Sequence, residues 1–332
     1  MSSASNVSRF TQSTRFEVGA QHFRFHLESF PVTAIIVFDL ERFQLTALGD
    51  YMTSANGASL SSIETWMSTV AAHHAQSISV MGVTRRTGDF WAGFATSFRD
   101  DPRRTDDAVL NRLSEFVDEN DTVLDIGGGA GRLAIPLAMR TRSTTVVEPS
   151  DSMVNELRLA IGDAEVENID IVESGWEEAS VEPHDLAICS HVVYGVEDIT
   201  NFMQKLHDSA RSRVAIVSYM ESPQAHLAAL WEPVHGDTRI NLPALPELVN
   251  VLWEMDIYPD VDMMPHRRRS PFESPEAALD QIARRLFIGG NPVREERLRA
   301  ALPDYLEPTS DGYVIRGSKP ARQGIVHWRT DI

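Results

Sequence analysis

One stretch constrains this chain more than any other: Val123-Leu124-Asp125-Ile126-Gly127-Gly128-Gly129-Ala130-Gly131-Arg132 carries an apolar run through an acid into a glycine-rich turn. Glycine lacks a Cβ, so its backbone can bend sharply at the end of a strand and approach a ligand closely above the N-terminus of the next helix. A strand, a glycine turn and a helix in that order predict an α/β domain with a cofactor at the turn. A strand-to-helix turn without a ligand is the plainer alternative, since a glycine turn alone is a weak signal.

The surroundings favour the cofactor. From residue 105 onward, short apolar runs alternate with amphipathic helices, the mark of a parallel sheet covered on both faces. Strands are predicted at 122–126, 144–147, 169–172, 185–189, 214–219 and 258–264. Thr105-Asp106-Asp107, Ser150 and Ser274-Pro275 are expected to start helices, because their side chains can accept from free amide groups there. Segments 312–316 and 324–328, parted by Gly317-Ser318-Lys319-Pro320, read as a closing antiparallel hairpin. The expected fold is therefore a doubly wound, mostly parallel seven-stranded sheet with an antiparallel C-terminal hairpin. An N-terminal helical lid (56–104) and a helical insertion at about 265–310 flank it. In the lid, Ile63, Trp66, Met67, Val70 and Ala71 recur at helical spacing. Residues 1–55 read as a dispensable extension: Phe16, Phe23, Phe25, Phe30 and 34–38 look strand-like, but no clear turn pairs them.

The glycines choose between two cofactor classes. A dinucleotide fingerprint wants its third glycine three positions after the second, and Arg132 stands there. With Gly127, Gly129 and Gly131 at alternate positions and Asp125 inside the strand, the segment resembles motif I of class I S-adenosylmethionine-dependent methyltransferases. That resemblance covers about residues 105–219. It implies that Asp125, Gly127, Gly128, Gly129 and Gly131 hold the cofactor and that Glu148, before Pro149, accepts hydrogen bonds from two ribose hydroxyls. It also implies that Met153 packs near the ribose and adenine, that Trp176 and Glu177 bound the adenine, and that Ser190 lines the site beside the transferable methyl. The product is S-adenosylhomocysteine. His191 and Tyr194 are the candidate catalytic residues, as a base or an orienting group for an acceptor. His235 is a weaker candidate. Ser190-His191-Val192-Val193 lacks the Asn/Asp-Pro-Pro-aromatic segment of enzymes that methylate amino groups of bases or glutamine.

Composition narrows the acceptor. With 30 Lys and Arg against 48 Asp and Glu, the net charge of −18 repels phosphate backbones. The run Arg267-Arg268-Arg269 reads as a solvated face. Cys189 is the only cysteine, which leaves no internal disulfide and no zinc site built from several thiolates. Paired His73-His74 lacks carboxylate partners at ligand spacing, so no metal is expected. The absence of a long apolar run argues against membrane insertion, and together with the missing secretory signal it points to the cytoplasm. A monomer or homodimer acting on a small organic molecule is expected. A protein acceptor, an NAD-dependent oxidoreductase and a non-catalytic S-adenosylmethionine-binding module are the alternatives.

Overall fold

The computed structural model describes residues 60–81, 89, 91–266 and 268–330, together with four short strands nearer the start. The chain divides into two compact units at residue 60. In the first, Arg15–Val18 pairs antiparallel with Gln21–Arg24, placing Phe16 opposite Phe23, and Phe38–Asp39 pairs with Gln44–Leu45. The sequence reading joins no strands there. Phe25, Phe30, 34–37, Phe90 and Arg267 lie outside the described residues.

The second unit holds a seven-stranded sheet: β1 (Thr122–Ile126), β2 (Ser143–Val147), β3 (Ile169–Val172), β4 (His184–Ser190), β5 (Ala210–Tyr219), β6 (Asp260–Met263) and β7 (Gln323–Arg329). Their order is β3-β2-β1-β4-β5-β7-β6. Every strand runs parallel except β7, which is antiparallel to both neighbours. The central strands alternate between two cores. Ala187, Cys189, Val214 and Ile216 join the cluster on one face, and Leu186, Ile188, Ala215 and Val217 join that on the other. Each fully buried Leu, Ile or Val among them stabilises by about 2 kcal/mol.

The predicted caps form. Asp107 accepts from the amides of Val109 and Leu110 at the start of α2 (Ala108–Ser114), and Ser150 accepts from Met153 at the start of α4 (Asp151–Ala164). Between them α3 (Ala134–Ala138) follows the glycine turn, and α5 (Ile199–Asp208) follows β4. Helix α1 (Ser62–Met81) buries Trp66 and Val70. The Trp66 indole N–H donates to the Val196 carbonyl at 2.8 Å, which ties α1 to the loop after β4. At the helix start, Glu254 of α7 (Leu245–Glu254) accepts from the Ser62 amide at 2.6 Å.

A third group of helices, α6 (Trp231–His235), α8 (Pro275–Arg285) and α9 (Pro292–Tyr305), shares a core of Leu230, Trp231, Ile282, Leu298 and Leu302. The antiparallel strands at this end of the chain divide their partners. Gly312–Ile315 pairs back onto Leu306–Thr309, and the last strand enters the sheet instead of closing on it. Its side chains explain why: Ile325 joins one core while Val326 and Trp328 join the other. A strand apolar on both faces gains more between β5 and β6 than at the surface.

Candidate active site

Ile126 at the end of β1 lies opposite Val147 at the end of β2, so the glycine turn and Glu148 leave the sheet side by side. Gly127 has φ +66°, and a Cβ there would stand 2.5 Å from Val192 Cγ2. The turn thus passes closer to the loop after β4 than any side chain allows. Gly129 also has positive φ, +56°, and its N–H donates to Glu148 Oε2 at 3.0 Å. A Cβ on Gly131 would strike Leu157 of α4 at 2.5 Å. The turn is bounded on three sides.

Two carboxyl groups dominate its electrostatics. Asp125 is 2% exposed, and its Oδ1 has no hydrogen-bond partner among the described residues. Burial, then the nearby charge of Glu148, raises this carboxyl to about 7. Burial also raises Glu148, against the pull of the two amides that it accepts from, Ser150 on Oε1 at 2.9 Å and Gly129 on Oε2. Each Glu148 oxygen keeps one lone pair for a further donor. Pro149 between them is exposed, while Met153 is buried with Ala95 and Ala130. The sequence reading missed Asp89, whose carboxylate accepts from Ser150 Oγ and the Ser152 amide, both at 2.8 Å. Bonds from Ser152 and Ser150 hold its carboxyl down at about 2.

The third wall comes from β4. Ser190 ends the strand half-buried, and His191 turns the chain at φ +60°, a conformation that a residue with a Cβ rarely adopts. The Tyr194 hydroxyl accepts from the Tyr219 amide at 2.8 Å and bonds His191 Nδ1 at 2.9 Å, with Ser218 a further side-chain partner. The ring stacks on Tyr219 at 4.2 Å between centroids, and Gln323 at the start of β7 is a further side-chain partner. Burial, then the charge of Arg132, lowers His191 to about 4. Burial pushes the Tyr194 hydroxyl and the Cys189 thiol up.

Other candidates stand further back. Trp176 is buried with Phe202 at its edge, 6.3 Å between centroids, and the Lys205 ammonium lies 4.5 Å from its ring centroid. Glu177 is exposed, and its carbonyl accepts from Lys205 at 3.2 Å. His235 bonds the Leu286 carbonyl at 2.9 Å and so ties α6 to the end of α8. His73 bonds the Ile240 carbonyl at 2.6 Å and accepts from Arg239 at 2.9 Å.

Residues 98–257 match a family model described as a methyltransferase domain. That segment is a methyltransferase domain of the S-adenosylmethionine-dependent kind. This methyltransferase is similar in structure to the YcgJ protein of Bacillus subtilis, at 14% identity and a TM-score of 0.46, over 66% of this chain and 97% of that one. A methyltransferase of Thiobacillus denitrificans in complex with S-adenosyl-L-homocysteine is 15% identical, with a TM-score of 0.43, over 72% and 96%. For the magnesium protoporphyrin IX methyltransferase of Synechocystis the figures are 13%, 0.42, 81% and 98%. No curated protein matches the sequence.

The residues present fit the methyltransferase's cofactor, S-adenosylmethionine. The unpartnered Asp125 oxygen offers a buried acceptor beside the turn, and a Cβ on Gly129 would meet only Met153 Sδ, at 3.7 Å, so the turn is open there. Glu148 retains acceptor capacity at the end of the neighbouring strand.

Proposed function

We propose that this methyltransferase moves a methyl group to an oxygen, nitrogen or carbon nucleophile of a small organic molecule. The supporting observation is the cover over the acceptor side. Helix α1 lies across the loop after β4, with Trp66 bonded to Val196 and His74 Nε2 3.6 Å from the position of a Cβ on Gly195. A covered loop suits a small acceptor better than a folded macromolecule, and the charge of −18 disfavours nucleic acid.

Asp125 and the turn from Gly127 through Gly128 and Gly129 to Gly131 bind the amino-acid end of the cofactor, Glu148 takes the ribose hydroxyls, and Pro149, Met153, Trp176 and Glu177 bound the adenine side. When bound, S-adenosylmethionine supplies a methyl carbon on a positive sulfonium, which an acceptor lone pair displaces in line to leave S-adenosylhomocysteine. The chain's part is alignment and exclusion of water. With its ring neutral and bonded to Tyr194 and Gln323, His191 faces the acceptor as a fixed, uncharged orienting group, and Ser190 borders the same space. Calorimetric titration should show S-adenosylmethionine and S-adenosylhomocysteine binding without NAD. Labelled methyl should pass to the low-molecular-weight fraction of an extract. Label recovered only in protein would support the protein-acceptor reading, and binding of NAD alone would overturn both.

A further inference from the structure

Of the chain's 30 basic residues only two, Lys205 and Lys319, are lysines. Lys205 stands half-buried in the last turn of α5, and its ammonium reaches the segment that follows β3. There Gly175 opens a single turn of helix, with the Glu178 and Ala179 amides donating to its carbonyl at 3.2 and 2.9 Å. A turn that stops so soon leaves its later carbonyls without amide partners of its own. Lys205 supplies the donors: Nζ donates to the carbonyls of Trp176, of Glu177 at 3.2 Å and of Ala179 at 2.7 Å. Three ammonium protons meet three carbonyls.

This geometry gives lysine a use that arginine does not fill. Arg104 and Arg132 share Asp107, and Arg211 pairs with Asp185, as planar forks suited to carboxylates. Three carbonyls that converge on one point instead need a compact cation with three rotatable donors. The same ammonium lies 4.5 Å from the Trp176 ring centroid, and Phe202, one helical turn earlier on α5, meets the edge of that ring. Helix α5 thus holds the turn by its backbone and by its one buried side chain.

The turn also stands beside the acid assigned to the ribose. The Glu148 amide and the Ser174 amide both donate to the Val172 carbonyl, each at 3.0 Å, so β3 hands its chain into the turn next to Glu148. Trp176 is 5% exposed, and its indole Nε1 has no partner among the described residues.

We propose that Lys205 is a positioning residue for the cofactor's adenine: it fixes the turn at 175–179 so that Trp176 and its neighbours present one surface to the base. The inference rests on the reading that this turn bounds the adenine. Lys205 acts through the turn, so its removal should blur the choice of base more than it weakens the fold.

The test titrates the full chain calorimetrically with S-adenosylhomocysteine and with S-inosylhomocysteine, whose base carries an oxygen where adenine has its amino group. Wild type should prefer the adenine ligand by about tenfold or more, and Lys205→Met, which keeps the apolar stem without the donors, should cut that preference to about twofold. A merely structural loss would lower both affinities together and leave their ratio as it was, which would overturn the proposal. Lys205→Arg keeps a cation over the indole but not the three convergent bonds, and should behave as Lys205→Met. If it matches wild type, charge alone places the turn and the proposal fails. Denaturant midpoints show that each variant is folded; should Lys205→Met not fold, Lys205→Gln, with fewer donors, is read in its place. Trp176→Leu tests the underlying reading separately: a preference that survives it shows that the base is read elsewhere, whatever Lys205 does. If wild type does not bind S-adenosylhomocysteine at all, the cofactor site itself is misassigned.

Discussion

Asp185 and Asp125 sit on adjacent strands of one sheet, at its opposite ends, and live in opposite conditions. At the start of β4, Asp185 accepts from the Thr122 amide and hydroxyl, both at 2.8 Å, and pairs with Arg211 at 3.0 Å. The bonds from Arg211 hold its carboxyl well below the usual carboxylate range. Near the end of β1, Asp125 has a bare oxygen, and burial drives its carboxyl up to about 7. The same residue type is satisfied at one end of the sheet and left open at the other, beside the glycine turn where we propose that the cofactor binds. Polar groups that the fold satisfies stabilise it; those that it leaves open are reserved for binding.

The largest expected effect tests the open end. Gly129→Val places a branched side chain at φ +56°, which costs about 1–2 kcal/mol in backbone strain, and fills the space over the turn. Calorimetry should show affinity for S-adenosylmethionine down by about 100-fold or more, equivalent to ~2.7 kcal/mol. A variant that binds normally would break the comparison.

Exchanging the two carboxyls sharpens it. Asp185→Asn should lower unfolding stability by about 2 kcal/mol by stranding donors, read from denaturant midpoints, and leave cofactor affinity as it was. Asp125→Asn should do the reverse, with affinity about tenfold weaker and stability at pH 8 equal or higher. Matching losses in both variants would show that the two ends do not divide their work.

The pH dependence follows from the same pair. A carboxyl raised on folding contributes stability that is complete below its unfolded value and is lost as pH rises through its folded value. For Asp125 that window runs from about 4 to about 7. Asp185, being depressed, contributes above its unfolded value and loses that contribution only in strong acid. Stability of the cofactor-free protein should therefore fall between about pH 4 and pH 7, and Asp125→Asn should flatten that slope. Binding of the cationic cofactor near pH 6.5 should release protons, seen as a dependence of the calorimetric heat on buffer ionisation enthalpy. An unchanged slope in the variant would mean that another group titrates.

The smallest effect concerns the backbone. His191→Gly removes a side chain from a left-handed turn and should stabilise the fold by about 1 kcal/mol, with methyl transfer reduced although S-adenosylhomocysteine still binds. Unchanged transfer would reduce His191 to a turn residue.

Much of the architecture is legible in the residues because it is local. The caps at Asp107, Ser150 and Ser274 lie within a few residues of the amides that they satisfy, and the apolar periods of β1 to β5 repeat over short windows. The glycine turn and Glu148 follow their strands directly. What escaped depends on contacts between distant segments. Asp89 reaches Ser150 across 61 residues and Gln323 reaches His191 from the last strand, and no spacing rule joins them. The insertion of β7 was hidden for a related reason: alternation marks a strand but does not name its neighbours.

The insertion of β7 also orders events during synthesis. Strand β5 leaves the ribosome about a hundred residues before the strand that covers its outer edge, so an unpaired row of amides and carbonyls must wait in a growing chain. Such an edge is a template for pairing with another molecule. A ribosome stalled before Gln323 would therefore release a product prone to aggregate, and the slowest step of refolding should be the docking of that final strand, whose partners are the most remote in sequence.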